Sequence, residues 1–140
     1  EDISRWNTAS ATSFEYLFYS AIVFQQNLSR WNVERVRSFK GTFRSAEAFT
    51  GSGLESWNVN SATSMMDMFA YTNIKGDSIV AWNTANVLDM QTMFRHSIRF
   101  DADLSNWNIL SVTDFYNIFV GTNVSDCNKY RIGTCLEPIH

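Results

Sequence analysis

Leu28-Ser29-Arg30-Trp31-Asn32-Val33-Glu34-Arg35-Val36-Arg37-Ser38-Phe39 opens a segment whose pattern recurs along the whole chain. Leu28, Trp31, Val33 and Val36 follow the spacing φ-x-x-φ-x-φ-x-x-φ, the opening of a leucine-rich repeat with Trp in place of one Leu. Trp31-Asn32-Val33 alternates as a short strand does. Phe39, Phe43, Ala46 and Phe49 then follow at steps of 4, 3 and 3, one face of a short helix and its exit.

Outward from this segment, Trp-Asn occurs at Trp6-Asn7, Trp31-Asn32, Trp57-Asn58, Trp82-Asn83 and Trp107-Asn108. The spacings are 25, 26, 25 and 25, and these are all 5 Trp of the 140 residues. Five units follow, about 3–27, 28–53, 54–78, 79–103 and 104–126. The longer unit holds its extra residue near Gly51-Ser52-Gly53, which suits a loop insertion. Before the first helical aromatic or Met stand Ser13, Ser38, Ser64, Asp89 and Asp114, each a good N-cap. Ser64 with Asp67 reads as a short-armed capping box. Phe18, Phe43, Phe69, Phe94 and Phe119 share one phase, and each helix is about two turns, too short to form alone.

A unit of this length cannot bury its own apolar face, whereas stacked units can. The fold class expected is α/β: a right-handed leucine-rich-repeat-like solenoid. Residues 1–126 form five units, each with a short parallel strand and a short helix, and residues 127–140 form an irregular C-terminal cap. Parallel strands about 4.8 Å apart would make five of them span roughly 19 Å. Thr8 and Ala9-Ser10-Ala11 stand where Val would be usual, which makes the first strand looser.

Composition fits such a core. The chain is 45% hydrophobic and 15% aromatic, with 11 Phe, so burial can offset ordering entropy. With 11 Lys and Arg against 14 Asp and Glu, the net charge of −3 opposes nucleic-acid binding. No polybasic run and no spanning apolar stretch occurs, so membrane insertion of this segment is not expected. The start Glu1-Asp2-Ile3, without Met or an apolar leader, reads as a mature or trimmed piece. Ile3 opens a full unit with an uncovered edge, which points to further repeats or a covering partner.

Leu28-Ser29-Arg30-Trp31-Asn32-Val33 and Leu104-Ser105-Asn106-Trp107-Asn108-Ile109 resemble the "LSxWNV" opening of BspA-like surface-protein repeats. Met90-Gln91-Thr92-Met93-Phe94 matches the family's Met-x-x-Met-Phe motif, and Met65-Met66-Asp67-Met68-Phe69 is a less close version. Phe24-Gln25-Gln26-Asn27-Leu28 resembles its "FNQDL" junction, which unit three alters with a shifted Ile74. The resemblance covers residues 3 to about 123. Such repeats occur on mycoplasma and other bacterial surface proteins and in secreted or surface proteins of protists. What the resemblance implies is an extracellular or cell-surface scaffold for binding or adhesion, without a catalytic motif to carry over.

Candidate binding residues lie beside Trp. Asn7, Asn32, Asn58, Asn83 and Asn108 should project from the strand face. They form either a structural amide ladder or a polar recognition strip. Flanking positions vary: Arg5/Ala9, Arg30/Glu34, Ser56/Asn60, Ala81/Ala85 and Asn106/Leu110. Arg30, Glu34, Asn60 and Asn106 join the candidate strip. Its partner would be a protein, a glycan or a second copy of the chain.

No HExxH, GxSxG, P-loop or Cys-x-x-Cys is present, so no enzyme, cofactor or metal is expected. His96 follows a helix end and reads as a solvated residue or a C-terminal helix partner rather than a base, and Asp101 with Asp103 is too sparse for a Ca²⁺ site. The Met at 65, 68, 90 and 93 read as core.

Cys127-x-x-Tyr130-x-Ile132-x-x-Cys135 keeps the repeat spacing and reads as a degenerate sixth strand. Its two Cys offer either a disulfide or two buried thiols. An extended segment of that length spans about 26 Å, whereas a disulfide holds Cα atoms about 4.4–6.8 Å apart. A bond therefore needs a sharp bend, which Gly133 allows. Sequons at Asn27-Leu28-Ser29 and Asn123-Val124-Ser125 could carry glycans if the chain is secreted by a eukaryote. The function expected is a non-enzymatic extracellular or cell-surface module that binds protein or glycan. The alternative is a structural subunit of a fibre or coat, assembled through its ends or faces. Ice or mineral binding would need a flatter, more regular face.

Overall fold

The computed structural model describes residues 1–125. The right-handed α/β solenoid of strands and helices is not what forms. Among the described residues there is no α-helix and no β-strand. The helical pieces among these residues are 3₁₀ turns at Leu54–Ser56 and Asp77–Ile79. Parallel pairing is confined to isolated bridges, Ser13 with Ser38, Ser38 with Ser64, Ser64 with Asp89 and Asp89 with Asp114.

The expected strand at Trp31-Asn32-Val33 is a run of turns. The Trp31 N–H donates to the Leu28 carbonyl at 3.0 Å, and the Val36 N–H to that of Val33 at 2.9 Å. The same apolar-x-x-Trp turn closes at Trp6, Trp57, Trp82 and Trp107. The bridges instead form at the residues expected to cap helices. Their side chains accept from the backbone two residues on, as at Gln91 N–H to Asp89 Oδ1 (2.9 Å) and Tyr116 N–H to Asp114 Oδ1 (2.8 Å). They are turn formers and cap no helix.

The expected helices are overlapping β-turns. In the first copy, the N–H groups of Leu17, Tyr19 and Ala21 donate three residues back, to Phe14, Tyr16 and Phe18. The alternate N–H groups, on Phe14, Tyr16, Phe18 and Ser20, leave the copy and donate to Ser38, Lys40, Thr42 and Arg44 carbonyls of the next, at 2.8–2.9 Å. The pattern repeats from Phe39 onward into 64–70, from Met65 into 89–95 and from Met90 into 114–120. This geometry needs a left-handed residue at two places per copy. Tyr16, Gly41, Asp67, Thr92 and Asn117 fill the first, and Ser20, Ser45, Tyr71, His96 and Gly121 the second, all with φ between 54° and 70°. A left-handed residue cannot continue a right-handed α-helix. Asp67 is therefore not a capping-box partner of Ser64.

Side chains four apart still share a face in these turns, so the core contains the apolar residues that the periodicity picks out. Phe39, Phe43, Phe49, Phe69, Phe94, Phe100, Met65 and Met68 are fully buried. Phe18, Phe43, Phe69, Phe94 and Phe119 lie over one another, with ring centroids 5.4, 5.6, 5.9 and 5.8 Å apart and planes within 12° of parallel. Each indole N–H after the first reaches the preceding copy. Trp31, Trp57, Trp82 and Trp107 Nε1 donate to the carbonyls of Ile3, Leu28, Leu54 and Ile79 at 2.9–3.1 Å. Trp6 stacks on Trp31 at 6.4 Å but is half exposed.

Candidate binding surface

The turn after each Trp sets the exposed surface. In all five copies the Asn side-chain oxygen accepts the N–H two residues on: Asn7 from Ala9, Asn32 from Glu34, Asn58 from Asn60, Asn83 from Ala85 and Asn108 from Leu110, at 3.0–3.2 Å. These are Asx turns. Each carbonyl end thus accepts one bond from the chain itself. No hydrogen bond joins one of these amides to the next among the described residues.

Asn7, Asn32, Asn58, Asn83 and Asn108 are all exposed, as are Arg30, Glu34, Asn60 and Asn106. The surface is stitched across copies beneath them. Thr8 Oγ1 donates to the Asn32 carbonyl (2.9 Å), Ser61 Oγ to that of Glu34 (2.6 Å) and Asn86 Nδ2 to that of Asn60 (2.8 Å). Backbone positions are thus fixed while the side chains at 5, 9, 30, 34, 56, 60, 106 and 110 differ from copy to copy.

The other sequence candidates fall elsewhere. His96 is exposed, its ring stacked on Tyr71 at 5.1 Å. Asp101 Oδ1 accepts the Ser125 N–H (2.8 Å) and Asp103 Oδ1 the Ser105 N–H (2.9 Å), so both serve turns and junctions. Among the described residues no three His, Cys, Asp or Glu gather into a group that could hold a metal. No helix among them is long and apolar enough to cross a membrane. Asn27 is exposed, with its oxygen in an Asx turn to Ser29 (2.8 Å), and Asn123 is exposed. Asp2 makes the equivalent turn to Ser4, whose side chain and N–H hold its carboxyl below the ordinary value. The proposed Cys127–Cys135 bond and the 127–140 cap lie outside the described residues.

Sequence reasoning did not single out Thr12, Arg35, Arg37 and Ser61, which come from three copies and line one cleft of about 380 Å³. The signal available was charge: Arg30, Arg35, Arg37, Lys40 and Arg44 all fall in residues 28–53.

No curated protein and no solved structure matches the chain. One family does match, over residues 1–73 and again over 52–133, and the chain belongs to it: the family described as "Mycoplasma protein of unknown function, DUF285".

Proposed function

We propose that the chain is a non-enzymatic binding module, displayed outside the cell or on its surface, that holds a protein or glycan against the face formed by the Asx turns. The observation that carries this reading is the contrast on that face. Five identical Trp-Asn turns fix the backbone, and the exposed residues between them change from copy to copy. Binding residues concentrate on segments positioned by a rigid frame. The family match and the resemblance of the Leu-Ser-x-Trp-Asn openings to BspA-like repeats support the same reading.

The test is a panel of extracellular-matrix proteins and neutral glycans applied to the immobilised chain. A variant with Arg30, Glu34, Asn60 and Asn106 replaced by Ala should lose the ligand found while keeping its unfolding midpoint. Undiminished binding by that variant would contradict the assignment of the face.

A second reading, a subunit of a fibre or coat, draws on the first copy. Trp6, Tyr19, Ile22 and Val23 expose 50–81% of their surface there. Exposed apolar clusters favour association. Light scattering over a concentration series separates the readings: growth in mass favours the subunit, a constant monomer mass the binding module.

A further inference from the structure

The cleft between the first three copies draws on the second, the one of the five copies in which positive charge outweighs negative. Residues 28–53 contain Arg30, Arg35, Arg37, Lys40 and Arg44 against Glu34 and Glu47. Two of the five cations are already engaged. Arg44 Nη1 pairs with Asp67 Oδ2 at 2.7 Å, and Lys40 Nζ sits 5.9 Å over the Tyr16 ring. Arg35 and Arg37 are exposed, and neither guanidinium meets a carboxylate or a hydrogen-bond acceptor among the described residues.

Stacking of the copies brings these two together. The Arg37 N–H donates to the Thr12 carbonyl (2.9 Å), and the Thr63 N–H donates to the Arg37 carbonyl (2.8 Å), so Arg37 lies between two Thr. Arg35, in the turn closed by the Val36 N–H and the Val33 carbonyl, lines the same cleft. Ser61 is fixed beside them by its bond to the Glu34 carbonyl. The result is a cleft of about 380 Å³ lined by two Arg of one copy and by Thr12 and Ser61 of the copies either side. Its volume suits one sugar ring and its substituents.

We propose that this cleft binds the sulfate or carboxylate groups of an acidic polysaccharide. Guanidinium forks match the paired oxygens of such groups, and the hydroxyls of Thr12 and Ser61 can bond sugar hydroxyls. The lining has no aromatic ring on which a nucleic-acid base would stack. The whole chain carries a net charge of −3 although this copy's cations outnumber its acids, so the surface beyond it is more acidic still, which keeps a long polyanion from spreading beyond the cleft. This inference rests on the binding-module reading and names a ligand class for it.

The experiment titrates the full chain with heparin, with hyaluronate and with a single-stranded oligonucleotide of matched charge. It is repeated with Arg35→Ala/Arg37→Ala and, as a control on overall charge, with Arg99→Ala at an exposed site in another copy. The wild type should bind a polysaccharide, more weakly as salt rises. The double variant should bind roughly tenfold or more weakly, with its unfolding midpoint unchanged and the Arg99 variant like the wild type. Heparin binding without hyaluronate binding assigns the site to sulfate, and binding of both assigns it to either anion. Equal binding by the double variant, no binding of either polysaccharide, or oligonucleotide binding as tight as heparin binding would each overturn the proposal. The neutral-glycan and matrix-protein panel does not depend on Arg35 or Arg37, so failure of the cleft and failure of the module reading are told apart.

Discussion

At the scale of the residue, Trp and the left-handed positions have opposite effects. Each of Trp31, Trp57, Trp82 and Trp107 fills the interior and bonds the preceding copy through its indole N–H. Trp57→Phe should cost about 1–3 kcal/mol from the lost bond and the space left behind. Trp6→Phe, half exposed and without that bond, should stay within about 0.5 kcal/mol. Urea unfolding of the two variants checks the contrast. Eight non-Gly residues hold positive φ, Thr92 among them despite its β-branch. Each costs about 1–2 kcal/mol, close to the roughly 0.5–1.5 kcal/mol of the inter-copy hydrogen bond that seven of them, from Tyr16 to His96, donate. The turns therefore persist because burial of Phe and Trp stabilises them. Gly53, at φ 89°, permits a close approach, since an added Cβ would lie 2.3 Å from the Ser29 N and 2.7 Å from the Leu28 N. Both are backbone atoms, so Gly53→Ala should lose more than the about 1 kcal/mol of the left-handed strain alone, read as a lowered unfolding midpoint.

At the scale of the element, the sequence shows which side chains are buried but not which backbone buries them. A spacing of four places Phe39 and Phe43 on one side of an α-helix, and equally on one side of overlapping turns. The distinguishing signal was present but weak. Gly41, Asp67 and Asn117 recur at one phase, and these residue types tolerate left-handed φ far better than most. The residues whose type suits a helix cap do accept a backbone N–H through their side chains, but within turns. Far-UV circular dichroism should accordingly lack the paired minima of an α-helix; a strong helical spectrum would contradict the turn assignment. Asp67 ties three copies, accepting from Arg44 (2.7 Å) and from Thr92 Oγ1 (2.7 Å). Asp67→Asn keeps a residue suited to positive φ but removes the charge. It should lose about 1–2 kcal/mol, because Arg44 is partly exposed, in the same urea measurement.

At the scale of the whole molecule, the candidate surface was legible only in part. The Asn positions and their variable neighbours stand out from the period alone, and all but the half-buried Ala85 are exposed. The cleft was not legible, because Thr12, Arg35, Arg37 and Ser61 become neighbours only when copies lie in register. That register is the central claim, and the indole N–H groups report it copy by copy. Hydrogen exchange of the five indole protons, followed by NMR on the ¹⁵N-Trp protein, tests it most directly. Trp31, Trp57, Trp82 and Trp107 should exchange slowly and Trp6 fast. Five protons exchanging alike, or a slow Trp6 beside fast partners, would contradict it.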